Sequence, residues 1–226
     1  MLLAVDTSTR YVGEALYNGD LVISEEVWTS RDYHTVELAP AIDHMMARAG
    51  IGMGDLRAIA VATGPGSFTG LRIGMAFAKG ICLARHLPLI GVPTLDVMAA
   101  AQPPEDLPLV IALRAGRGRL AVGWYRAVSG NWQPGGDIEL LTIQKLSAKI
   151  THPTLVCGEF TAEERQLLER KRVNVILASP AQSLRRPAYL AELGWRRWQS
   201  GQVDDPATLS PYYLHYQESY PSCVLV

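Results

Sequence analysis

Short apolar runs alternate with helix-length amphipathic stretches along this chain, and the same order of elements occurs twice. In the first half, Leu2 to Val5, Tyr11 to Tyr17 and Leu21 to Trp28 read as strands, and Thr35 to Ala49 as a helix. A strand over Ala58 to Ala62 then leads through a glycine-rich loop into a long helix ending near Arg85, followed by a strand over Leu89 to Val92 and a short helix after Pro93. The polar, turn-rich Gln102-Pro103-Pro104-Glu105-Asp106 interrupts the pattern. Beyond it, strands at Leu109 to Leu113, Leu120 to Tyr125 and Ile138 to Leu141 precede a helix over Thr142 to Ile150. A strand over Thr154 to Cys157, a helix over Thr161 to Arg170, a strand over Val173 to Leu177 and a helix over Pro187 to Gln199 follow. Runs of strands feeding into alternating helices and strands pack as mixed sheets with helices on their faces. The expectation is an α/β chain of two duplicated units with the order βββαβαβα, one over residues 1–102 and a truncated, divergent one over 105–226.

Local signals refine this outline. Asn18-Gly19 between two strand-like runs predicts a type I′ hairpin. Gly50 is placed as a helix stop, and Pro40 requires the preceding helix either to start later than Thr35 or to bend.

Charge and cysteine usage narrow the function classes. With 21 Lys+Arg against 22 Asp+Glu, the net charge of -1 provides no global field for nucleic acid or an anionic membrane. The balance is -3 through Pro104 and +2 afterwards, and Arg114, Arg117 and Arg119, with Arg170, Lys171 and Arg172, form a candidate basic patch, although basic residues at helix ends are also expected from the helix dipole. Cys82, Cys157 and Cys223 are widely spaced, which fits a reducing cytoplasm. MLLAVD reads as a buried strand rather than a signal peptide, no apolar stretch approaches the roughly 20 residues of a membrane span, and the terminal Cys223-Val-Leu-Val matches a prenylation box only by coincidence.

Two segments carry candidate chemistry. Asp6-Thr7-Ser8-Thr9 follows the first strand and either cradles a phosphate, directly or through a metal, or simply closes its own turn through side-chain hydrogen bonds. Gly64-Pro65-Gly66-Ser67-Phe68-Thr69-Gly70-Leu71-Arg72-Ile73-Gly74 enters a helix where an anion is favoured. It has neither the Walker ending nor dinucleotide-fold glycine spacing, and Pro65 lacks an N–H. Gly70, Gly74 and Ala78 instead leave one helix face without bulk. Leu71, Ile73, Met75, Phe77, Ile81 and Leu83 surround most of that helix, so it needs cover on more than one side, either from Leu38, Ile42 and Met46 of the first helix or from a partner. The five histidines, His34, His44, His86, His152 and His215, include no metal clamp at helical spacing, and no nucleophile motif surrounds the cysteines. No catalytic residue and no metal site are assigned.

LLAVDTST, HTVELAPAI, AVATGPGSFTGLRIG, AKGI and PLIGVPTLD together resemble the TsaB (YeaZ) family. The resemblance is close over roughly the first hundred residues and thinner beyond, where it rests on LVCGE and Leu209-Ser210-Pro211-Tyr212-Tyr213-Leu214. It implies an actin/Hsp70/sugar-kinase type of fold and a cytoplasmic, non-catalytic scaffold subunit in tRNA threonylcarbamoyladenosine modification. It further implies pairing with a TsaD transferase, a ternary complex with a TsaE ATPase, a homodimer when alone, and contact with tRNA only through the complex. The implied partner surface lies on the first two helices, here carrying Leu38, Ile42, Met45, Met46, Gly70, Leu71, Gly74, Met75 and Ala78. A charge at Met75 or Gly74 is then expected to abolish pairing while sparing the fold. Asp6, Thr7, Ser8, Thr9, Gly64, Gly66 and Ser67 remain as a vestigial phosphate site. Where the family commonly has Asp-Ala-Arg, this chain reads Ala112-Leu113-Arg114, so ATP or ADP is expected only at a partner interface and no cofactor in the isolated chain. The alternative is an ATP-dependent enzyme of the sugar-kinase class built on Asp6 and the Gly64 loop.

Overall fold

A computed structural model describes residues 1–30, 34–116, 118–171 and 173–214. Arg117, Arg172, His215 and Cys223 lie outside the described residues. The first sheet contains β1 (Leu2–Asp6), β2 (Tyr11–Tyr17), β3 (Val22–Thr29), β4 (Ala58–Ala62) and β5 (Leu89–Val92) in the order β3-β2-β1-β4-β5. β1, β2 and β3 pair antiparallel, whereas β4 lies parallel to β1 and β5 to β4. The second sheet repeats this plan with β6 (Leu109–Arg114), β7 (Leu120–Val128), β8 (Asn131–Pro134), β10 (Thr154–Gly158) and β11 (Val175–Leu177), ordered β11-β10-β6-β7-β8. The short β9 (Glu139–Leu141) also pairs with β7, and β8 is a strand that the sequence pattern did not suggest. Only Trp132 of β8 is less than exposed, so no apolar alternation marked it.

Every residue of β1, β4, β5 and β10 is buried, the mark of strands covered on both faces. On one face of the first sheet lie α1 (His34–Ala49) and α2 (Phe68–Arg85). Pro40 does not break α1: its missing N–H would have bonded the Val36 carbonyl, and both residues face solvent. The helix ends in a Schellman motif, with Gly50 at φ +66°, Ile51 N donating to Met46 O at 2.9 Å and Gly50 N to Ala47 O at 3.1 Å. The β2–β3 hairpin differs from the expected two-residue turn. Tyr17 pairs with Val22 across a four-residue loop, in which Asn18 Oδ1 accepts from Asp20 N and Leu21 N.

The sheets separate at Gln102–Asp106, but the helices do not follow that division. α3 (Thr94–Ala100) precedes the break, yet Leu95, Met98 and Ala99 pack with Leu109, Ile111 and Leu113 of β6. α6 (Pro187–Gln199) comes near the end of the chain, yet Leu190 and Ala191 pack with Leu2, Ala4, Ala60 and Ile90 of the first sheet. Gly194 permits this contact, since a Cβ there would stand 2.5 Å from the Ala60 Cβ. The remaining helices, α4 (Ile143–Lys149) and α5 (Ala162–Glu169), contribute to the core beneath the second sheet.

Candidate functional site

The Asp6-Thr7-Ser8-Thr9 turn is buried, and its polar atoms are occupied by the protein itself. Asp6 Oδ1 accepts from Ser8 N at 2.8 Å, and Oδ2 accepts from Arg185 Nε at 2.6 Å. Thr7 Oγ1 donates to Gly70 O at 2.7 Å, and the Ser8 hydroxyl lies 2.9 Å from that of Thr94. Thr9 Oγ1 donates to Glu159 Oε1 at 2.9 Å and accepts from Arg185 Nη1 at 3.1 Å. Arg185 completes the cluster by donating to Glu159 Oε1 through Nη1 and to Tyr11 O at 3.0 Å through Nη2. Burial opposes the charge on Arg185, but Asp6 and Glu159 outweigh it and raise its pKa further, so the guanidinium stays protonated. It ties the end of β1 to the residue following β10, and thus one sheet to the other.

The glycine-rich run packs on this turn. A Cβ on Gly66 would stand 2.1 Å from Ser8 O, and one on Gly70 2.2 Å from Thr7 O. Ser67 N donates to Ser8 O at 2.5 Å, and Ser67 Oγ caps α2 by accepting from Gly70 N at 3.3 Å. Gly64 N donates to Thr94 Oγ1 at 2.9 Å. The structure thus brings Asp6, Thr7, Ser8, Thr9, Gly64, Gly66 and Ser67 together, but as mutual hydrogen-bond partners and close contacts. Of the two sequence readings of this turn, self-closure describes the geometry. A kinase-like use of Asp6 would require its carboxylate to leave Arg185.

Arg185 is the residue that sequence reasoning missed. One signal was available: Arg185 and Arg186 immediately precede Pro187, the first residue of α6, where the helix dipole disfavours cations. Each has a specific carboxylate. Arg186 donates to Glu25 Oε2, and Glu25 Oε1 accepts from Ala188 N at 2.9 Å, covering the start of the helix.

Burial within the chain corrects eight of the nine residues assigned to a partner surface, while Leu38, though 2% exposed, also lines a groove on the outer side of the helices. Leu38, Ile42, Met45 and Met46 belong to the cluster beneath α1 with Leu3, Val5, Val12 and Leu16, while Met75 and Ala78 pack with Ile59, Val61 and Leu89. Leu71 is fully buried, and Gly70 and Gly74 press on Thr7. Helical spacing identified the apolar faces of both helices; the sheet covers them, and Ile73 and Phe77 of α2 pack against the cluster that holds Leu38, Ile42 and Met46, the cover from the first helix that the sequence offered. The solvent side of α1 and α2 carries a groove of about 450 Å³, bordered by Leu38, Phe68, Arg72, Ile73, Ala76 and Phe77. Phe68 is 54% exposed and Val36 64%.

Between the two sheets lies a larger cleft of about 1030 Å³, whose walls include Arg10, Tyr11, Phe68, Arg119, Phe160 and Tyr212. Arg114 of the basic patch is engaged by Glu164 in a two-pronged pair with N···O distances of 3.0 and 2.5 Å. Lys171 donates to the Ser147 and Ile150 carbonyls near the end of α4. Cys82 and Cys157 are buried, and burial pushes both thiols up to about 11. No cluster of three or more metal-ligating side chains occurs, and no helix is long and apolar enough to cross a membrane, among the described residues.

Comparison with known proteins agrees with the resemblance. The family described as TsaD, tRNA N6-adenosine threonylcarbamoyltransferase, matches residues 22–162. The tRNA threonylcarbamoyladenosine biosynthesis protein TsaB of Bacillus subtilis is 30% identical over 222 residues, covering 96% of this chain and 95% of that protein. The structure of YeaZ from Pseudomonas aeruginosa superposes with a TM-score of 0.77 at 24% identity, covering 94% of this chain and 99% of that one. A ROK hexokinase from Thermus thermophilus shares the fold more distantly, with a TM-score of 0.50 at 10% identity, covering 88% of this chain and 99% of that one. The duplicated α/β fold is therefore of the actin/Hsp70/sugar-kinase type, and the chain belongs to the TsaB family, within the wider group that the threonylcarbamoyltransferase family describes.

Proposed function

We propose that this chain is a non-catalytic scaffold subunit of the tRNA threonylcarbamoyladenosine-modifying machinery, holding a TsaD-type transferase through the solvent side of α1 and α2. The observation that carries this reading is the apolar groove between those helices, with Phe68 at its edge and Ile73, Ala76 and Phe77 along its wall. The commitment of Asp6 to Arg185 supports assigning the chemistry to the partner. On this reading a TsaE ATPase joins the pair, any ATP or ADP is held at a subunit interface, the chain uses the same groove to dimerise when alone, and tRNA is modified on the transferase in the cytoplasm.

The test is threonylcarbamoyl transfer to tRNA by a reconstituted mixture of transferase, ATPase and carbamoyl-adenylate synthase, with this chain present or omitted. Modification that depends on the chain, while the chain alone neither hydrolyses ATP nor transfers the group, is the expected result. Unchanged modification on omission overturns the reading.

A further inference from the structure

The cleft between the sheets has a sealed floor and a basic, aromatic mouth. At the floor, Asp6, Thr9, Glu159 and Arg185 satisfy one another, and the Ser8 and Ser67 N–H groups are spent on Asp6 and Ser8. The donors that would clamp a polyphosphate at this depth are therefore committed within the protein.

Higher in the cleft the chemistry changes. Arg10, Arg114, Arg119 and Arg165 line it with Glu159; Arg114 is paired with Glu164, and Arg185 is shared between Glu159 and Asp6, so five arginines stand against three carboxylates. Cations thus exceed carboxylates around this cleft, on a chain whose net charge is -1. Arg119 is delivered by a tight turn in which Ala115 N donates to Arg119 O and Arg119 N to Gly116 O, both at 3.0 Å. Gly116 and Gly118 sit at φ +75° and +69°, and a Cβ on either would meet nothing, so these glycines serve the turn's backbone rather than its packing. On the opposite wall, the exposed Arg10 lies 5.2 Å over the Tyr11 ring. Tyr212 is 50% exposed at the rim, where its backbone N–H donates to Thr63 O at 2.7 Å. Phe160 contributes a further ring to the cleft.

Guanidinium groups alternating with available aromatic faces, without a phosphate clamp, are the recognition chemistry of unpaired polynucleotide, in which bases stack and phosphates track the cations. We infer that the mouth of this cleft binds a single-stranded segment of RNA, with Tyr212 and Tyr11 as stacking surfaces and Arg10 as a phosphate contact. That the RNA belongs to tRNA rests on the proposed function; the binding itself is a property of this chain alone.

The experiment is fluorescence anisotropy of the full chain with a short labelled single-stranded RNA, the same sequence as a blunt duplex, and AMP as competitor. The single strand is expected to bind more tightly than the duplex, with AMP competing only weakly. Tyr212→Ala and Arg10→Ala, both at exposed side chains and checked for folding by circular dichroism, are each expected to weaken binding by about tenfold. Arg10→Ala is also expected to flatten the salt dependence by about one phosphate contact. Equal binding of duplex and single strand, competition by AMP as strong as by the RNA, insensitivity to both variants, or no binding at all each overturns the inference. Failure here with chain-dependent transfer in the reconstituted mixture removes the RNA site and leaves the scaffold role. Binding here without such dependence does the reverse.

Discussion

Gly74 of α2 lies so close to Thr7 that a Cβ on the glycine would stand 2.3 Å from the threonine hydroxyl oxygen, the same oxygen that donates to Gly70 O. Glycine inside a helix ordinarily costs stability relative to alanine, and Gly80, six residues further along α2, has open space where its Cβ would be. The two positions therefore answer the same substitution with opposite signs. Gly80→Ala is expected to stabilise by about 0.5–1 kcal/mol. Gly74→Ala is expected to destabilise by about 1–3 kcal/mol, because Thr7 is buried and bonded. Urea denaturation of both variants measures this, and two stabilising changes would show that α2 does not press on the turn.

The close contact also changes how the partner surface has to be probed. A charge at Met75 or Gly74, positions on the partner surface that the family resemblance implied, falls in the protein's own core and is expected to damage the fold. Ala76→Glu places its charge in the exposed groove instead. Its effect on folding stability is expected to stay within about 0.5 kcal/mol, with association to the transferase weakened more than about tenfold. Calorimetric titration of the pair with Ala76→Glu checks it, and wild-type affinity removes the groove from the interface.

Arg185→Met is expected to cost about 3–5 kcal/mol, since it leaves the buried Asp6 and the largely buried Glu159 without their cation. The triple variant with Asp6→Asn and Glu159→Gln is expected to recover part of the loss. Thermal melts compare the two. An Arg185→Met chain as stable as wild type would mean that the cluster contributes nothing to holding the sheets together.

Glu14 makes stability depend on pH. The side chain is fully buried on β2, paired in register with Glu26 of β3, and neither carboxyl oxygen has a hydrogen-bond partner among the described residues. Burial, with a smaller contribution from the charge on Glu26, pushes its pKa from 4.5 up to about 8. The folded protein therefore holds a proton that the unfolded chain releases above its ordinary pKa. Stability is fully present below pH 4.5 and is lost as pH rises towards 8, by roughly 3 kcal/mol at neutral pH. Glu14→Gln is expected to remove this slope and to be the more stable form at pH 8. Parallel slopes for the two proteins in pH-dependent urea titrations contradict the assignment.

Much of the fold follows from patterns that act over a few residues. The apolar runs of β1, β4, β5 and β10 correspond to strands buried on both faces, and Ser67 and Gly50 mark helix ends. Relations set by tertiary packing were not legible. The sheet-facing and solvent-facing sides of α2 are both apolar, so periodicity alone cannot say that Met75 is covered from within while Phe77 borders a groove. Arg185 and Asp6 are separated by 179 residues, and no local signal pairs them. Likewise, Glu14 interrupts an otherwise apolar run, but only the strand register places it opposite Glu26.

The return of α6 to the first sheet sets the order in which the molecule can be finished during synthesis. The strands of that sheet leave the ribosome first, yet Leu2, Ala60 and Ile90 keep an uncovered face until residues 187–199 have been made. The second sheet needs only α3, already synthesised, and the α4 and α5 that follow its own strands. The half that begins first is therefore completed last, and a nascent chain stalled before Pro187 carries an apolar surface open to chaperones and to other unfinished chains.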